Sequence, residues 1–117
     1  MQVMMLIQET PEDFGARTGP AAEAYWGKWM AYSAAIGDKV VGGNVLGDGG
    51  TGVTITVRDG ERQIQDGPYA DSKEALGGYM IFEVDSMDEA IELASNCPAA
   101  ASAHVELRPT VDMSDMG

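Results

Sequence analysis

Apolar residues recur along this chain with two different periods, and the alternation between them predicts the elements. Residues 3–8 hold Val3, Met4, Met5, Leu6 and Ile7 in unbroken succession. That reads as a strand covered on both faces. Residues 9–19 carry turn formers and no clear period. From Pro20, with Thr18 as a possible cap, Ala22, Tyr25, Trp26, Trp29, Met30 and Ser33 follow the spacing of one helical face, and Gly37 is a good terminator. Residues 39–46 read as a strand weakened or bulged by Gly42-Gly43. Val53, Ile55 and Val57 alternate with Thr54, Thr56 and Arg58, a half-buried strand. Asp59-Gly60 turns the chain into a return strand over residues 61–65.

A long loop spans residues 66–78, with a short helical turn expected over 72–76. Residues 79–84 form another strand, apolar except for Glu83. Ser86 and Glu89 fit a capping box ahead of a helix whose buried stripe is Met87, Ala90, Ile91 and Ala94. Pro98 closes that element. Residues 104–108 are the last strand, and residues 110–117 read as an acidic, loose tail.

Without the hairpin, the order is β-α-β-β-α-β. This predicts an α+β, ferredoxin-like fold with an inserted β-hairpin, in one domain over residues 1–109. The two strands apolar on both faces, 3–8 and 79–84, belong in the middle of its sheet. Two helices cover only one sheet face. Met4 or Met5, and Ile81, are then left on the other, which predicts a sheet-to-sheet homodimer of the dimeric α/β-barrel type.

Charge narrows the partners. Seven Lys and Arg stand against nineteen Asp and Glu, a net −12. Nucleic acid and anionic membrane surfaces need a basic footprint that the chain lacks. No apolar run reaches the roughly 18–20 residues of a membrane span, and residues 1–7 lack the features of a signal segment. The single Cys97 rules out an internal disulfide, which makes the cytoplasm the default location. One His and one Cys, far apart, do not make a zinc set, and no metal or cofactor is expected.

The segment Asp66-Gly67-Pro68-Tyr69-Ala70-Asp71-Ser72-Lys73-Glu74-Ala75-Leu76-Gly77-Gly78-Tyr79 closely resembles the DGPF motif of the YCII-related family. Matching pieces follow in order. They are Val40-Val41-Gly42-Gly43-Asn44-Val45-Leu46, Val57-Arg58-Asp59-Gly60, Glu83-Val84-Asp85-Ser86-Met87-Asp88-Glu89-Ala90 and Val105-Glu106-Leu107-Arg108-Pro109. The resemblance spans residues 3–109. It implies a dimerising ferredoxin-like domain and a setting linked to extracytoplasmic-function sigma factors. Some relatives look like small enzymes with a histidine on the first helix paired to an aspartate. This chain has Tyr25, Trp26 and Trp29 there, and its only histidine is His104.

Candidate chemistry gathers on the last strand and the long loop. His104, Glu106 and Arg108 share one strand face, opposite Val105 and Leu107. They are expected to line an inter-subunit cleft rimmed by Asp66, Tyr69, Asp71, Lys73 and Glu74. Such a cleft would take a small polar or anionic ligand, with Arg108 holding the anion and Tyr69, Lys73 and Glu106 around it. In an enzyme, Asp66 or His104 would carry protons. The alternative classes are a binding or accessory dimer without turnover and a protein-interaction module. Each residue also has a plainer role. Glu106 with Arg108 reads as a structural ion pair, Asp66 as a turn cap, His104 as a rim residue, and the helix aromatics as core.

Overall fold

The computed structural model describes residues 1–68 and 73–116 of the chain, with the side chains of 115 and 116 left aside. Among the described residues six strands and four α-helices follow one another: β1 (Gln2–Glu9), α1 (Pro11–Ala16), α2 (Ala22–Ile36), β2 (Val40–Val45), β3 (Val53–Arg58), β4 (Glu61–Asp66), β5 (Ala75–Glu83), α3 (Met87–Ser95), α4 (Pro98–Ser102) and β6 (His104–Pro109). The main sheet is antiparallel with the order β2-β5-β1-β6. The two strands expected in the middle are the two central ones. The hairpin β3–β4 forms a separate two-stranded sheet.

Burial follows strand parity. Val3, Met5, Ile7 and Glu9 of β1 are buried in alternation with half-buried Met4, Leu6 and Gln8. The buried set packs with Phe82, Val84, Ala90, Ala94, Cys97 and Ala99 beneath the helices. Tyr32 and Ile36 are the α2 residues that enter this core. The Tyr32 hydroxyl donates to Leu93 O at 2.8 Å and ties α2 to α3. Ser86 caps α3 by accepting from Glu89 N, as its spacing predicts.

Several expectations are corrected. Residues 11–16 form a helix, held by a reciprocal box in which Thr10 accepts from Asp13 N and Asp13 accepts from Thr10 N. The helical stripe is less buried than its period suggests, since Met30 is 72% exposed and Tyr25, Trp26 and Trp29 are only half-buried. Ile91 lies outside the α3 core and is exposed, leaving Ala90 and Ala94 inside. β5 begins at Ala75, so the helical turn expected over residues 72–76 gives way to strand from residue 75 onward. The tail carries a 3-10 turn over Met113–Met116. The hairpin strands are where the alternation puts them, but Val53, Ile55, Val57 and Ile64 are all more than half exposed. A two-stranded sheet has no second layer to bury its apolar face, and the body of this chain does not supply one.

Candidate functional site

A cavity of about 650 Å³ opens between α2 and the sheet. Its floor is the glycine-bearing stretch of β2 together with Gly77, Gly78, Tyr79 and Met80 of β5. Its wall is the helical stripe of Tyr25, Trp26, Trp29 and Met30. The aromatic spacing along α2 therefore builds a cavity wall. The lining is mostly apolar, and its ionisable groups are Glu9, Arg17, Tyr25 and Tyr79.

Glu9, Arg17 and Tyr25 form one cluster. Glu9 continues the buried parity of β1 and is 3% exposed. One carboxylate oxygen accepts from the Arg17 guanidinium at 2.6 Å, and the other accepts from the Tyr25 hydroxyl. Arg17 also donates to the carbonyls of Leu46 at 2.5 Å and Gly77 at 2.9 Å. Its Cζ lies 4.5 Å from the Phe14 ring centre. The Trp26 indole donates to Arg17 O at 3.0 Å, which fixes that ring in the wall. A charge this buried requires a partner, and Arg17 supplies both the charge and a planar donor array.

Gly77 makes room for the pair. The β1–β5 register shifts between Ile7 and Gln8, so Ile7 faces Gly78 and Gln8 faces Leu76. Gly77 is the extra residue of that bulge. A Cβ at this position would lie 2.9 Å from the Arg17 guanidinium and nearer still to Glu9 Oε1. Gly43, at φ 152°, answers a second need, because a Cβ there would lie 2.6 Å from Tyr79 O.

The electrostatics follow from this burial. Burial pushes the Tyr25 phenol up to about 12, the Glu9 carboxylate adds to the rise, and Arg17 opposes it. Tyr25 thus stays a hydrogen-bond donor at any ordinary pH. Burial alone would lower the Arg17 guanidinium, but its hydrogen bonds to Glu9 and Tyr25 outweigh that, and it lies above its usual value. Carboxylate and guanidinium cancel, so the cluster presents a neutral, polar end to an apolar cavity.

The residues singled out from the sequence lie elsewhere. His104, Glu106 and Arg108 do share one sheet face, beside Gln8, Leu6 and Met4 in register. That is the face away from the helices, whereas the cavity lies under α2. Arg108 Nε donates to Glu106 at 2.5 Å, both side chains being exposed, and His104 pairs with Glu74. Asp66 ends β4 opposite Val53, exposed and outside the cavity lining. Lys73 and Glu74 line a separate groove of about 900 Å³ between α1, α2 and α4, which Glu9 and Tyr25 also border. Tyr69 and Asp71 fall outside the described residues. The residues that line this cavity all come from one chain.

The YCII-related domain model matches residues 1–114. The chain belongs to the YCII-related family. No curated protein matches it. Among solved structures it is similar to 5-chloro-2-hydroxyhydroquinone dehydrochlorinase (TftG) from Burkholderia phenoliruptrix AC1100, solved in complex with 2,5-dihydroxybenzoquinone. The identity is 18%, the TM-score 0.55, and the match covers 95% of this chain and 94% of that one. The likeness shows an α+β fold of antiparallel strands and helices shared by the two proteins. No described helix is long and apolar enough to cross a membrane.

Proposed function

We propose that this YCII-related protein binds a small, neutral, ring-bearing molecule in the cavity under α2, with a hydroxyl or carbonyl of that molecule against Glu9 and Tyr25. One observation carries the reading. Among the described residues, the one cation that lines the cavity, Arg17, is already engaged by Glu9 and two backbone carbonyls. An anionic ligand would find no free positive charge and would face a buried carboxylate. Flat apolar ligands gain from the Trp26 and Trp29 walls, and the polar cluster orients them. This replaces the polar or anionic ligand of an inter-subunit cleft with a neutral ligand held inside one chain. We read the fold as ferredoxin-like with an inserted hairpin, on the strand order and the two helical crossovers.

Calorimetric titration with naphthol and with naphthoate, matched in ring size and differing in charge, tests this. Naphthol should bind and naphthoate should not. Tight naphthoate binding would refute the neutral-ligand reading.

A second reading is turnover by proton transfer. The Glu9 carboxylate would accept a ligand proton and the Tyr25 phenol would donate one. TftG, a dehydrochlorinase solved with 2,5-dihydroxybenzoquinone, is a precedent for a hydroxylated ring on this fold. Exchange of ligand protons for deuterium, lost in Glu9→Gln, is the signature to seek.

A further inference from the structure

We propose that the molecule held in this cavity is elongated, with a hydroxylated ring at the Glu9–Tyr25 end and an uncharged apolar tail that runs along α2 to Ser33. The inference rests on the neutral-ligand reading of the cavity. It adds the shape of the ligand and the residue that limits its length.

The cavity is a trough, and two of its walls measure it. Tyr25, Trp29 and Ser33 line it at successive turns of one α2 face. From Tyr25 to Ser33 the helix rises about 12 Å. On the other wall, β2 from Val41 to Val45 covers about 13 Å. The two walls share their ends. Val45 is in register with Gly78 and through it with Ile7, beside Glu9, whereas Val40 is in register with Phe82 and Val3, at the far end of the sheet. Gly37–Lys39 alone separate α2 from β2, which brings Val40 back toward the Ser33 end of the helix.

The ends and the middle differ in chemistry. Among the described residues, the charged side chains of the lining are Glu9 and Arg17, both at the first end. Ser33 is the polar side chain at the other. Its hydroxyl has no hydrogen-bond partner among the described residues, whereas Ser95 of α3 donates back to Ile91 O at 2.6 Å. Between the ends the walls are apolar and wet. Met30 on the helix and Val41 and Val45 on the strand are each more than half exposed. Between the two valines, Gly42 and Gly43 carry no side chain, and Asn44 donates to the Tyr79 hydroxyl at 2.8 Å. A ring against Glu9 and Tyr25 leaves Met30 and Val41 in water. A tail laid along the trough removes that apolar surface from solvent on both walls. The volume of about 650 Å³ is that of a site for a drug-sized molecule rather than for a single ring. A phenol ring takes about half of the 12 Å, which leaves room for a tail of about six carbons.

Calorimetric titration with phenol and its para-butyl, para-hexyl and para-decyl derivatives tests this. Affinity should rise about threefold per methylene up to the hexyl chain. It should level off at the decyl chain, whose end passes Ser33. Ser33→Trp should abolish the gain from butyl to hexyl. Ala34→Trp, one position further along α2 and outside the trough, should keep it. Both positions are exposed, and both variants should keep the helical signal of the wild type. An affinity that climbs steadily through decyl would put the tail on open surface and overturn the proposal. So would a gain that survives in Ser33→Trp. If naphthol binds and the tails add nothing, the elongated shape fails and the neutral-ligand reading stands. If neither naphthol nor any alkylphenol binds, both fail.

Discussion

Gly77 lies directly beneath the Glu9 carboxylate, and its missing side chain is the space that the Glu9–Arg17 pair occupies. Gly77→Ala would drive a methyl into a buried ion pair. We expect a loss of about 2–3 kcal/mol in unfolding free energy, the range for overpacking that also splits a buried pair. Gly27→Ala is the control. It lies in α2 with nothing within 4 Å of an added Cβ. That change should stabilise by up to about 1 kcal/mol through helix propensity. Urea denaturation of both variants distinguishes them.

The pair itself is open to a double-mutant cycle. Glu9→Gln leaves the Arg17 charge uncompensated, and Arg17→Met leaves the Glu9 charge alone with Tyr25. Each should cost about 3 kcal/mol or more. Glu9→Gln with Arg17→Met removes both charges, and it should recover part of the loss as a non-additive term. Additive losses would show that the two side chains are not coupled.

Tyr25 gives a pH dependence of known sign. Its phenol titrates near 12 in the folded protein against an ordinary value of 10.0. The folded state therefore holds its proton where the unfolded chain has lost it. The resulting stability is full below pH 10 and is lost as pH rises through about 12. Tyr32, also raised by burial, acts in the same direction. Tyr25→Phe should flatten part of the alkaline decline, read as melting temperature against pH, and should remove one late-titrating tyrosinate from the ultraviolet absorbance.

The face of β6 should be dispensable for binding. Glu106 and Arg108 form an exposed pair, and so do His104 and Glu74 in part. Replacing Arg108 or His104 with alanine should leave the melting temperature nearly unchanged. Naphthol affinity should not change. A large effect on binding would return these residues to the site.

Much of the scaffold was legible because strand and helix periods are local. The parity of Val3, Met5 and Ile7 extends to Glu9, and a carboxylate in phase with a buried row was the available signal for the cluster. Arg17 and Tyr25 had no such signal, since they meet Glu9 only after α1 and α2 fold back. α1 escaped because its box uses Asp13, rather than the Glu or Gln that marks the usual pattern. The stripe of Tyr25, Trp26 and Trp29 was visible, but the apolar wall of a cavity and a core face share one period. The common face of His104, Glu106 and Arg108 was also visible. Which side of the sheet holds the cavity is set by tertiary packing, and strand alternation alone carries no information about it.

The chain has two tryptophans, and both Trp26 and Trp29 line the cavity. Their two indole N–H resonances report on that space, with Trp29 also bordering the second groove. Naphthol titration followed by nitrogen-edited NMR should shift both indole signals to saturation, while equal naphthoate leaves them in place. The His104 ring signals should stay fixed throughout. Unmoved indoles alongside shifting His104 would contradict the account and put the ligand on the opposite face of the sheet.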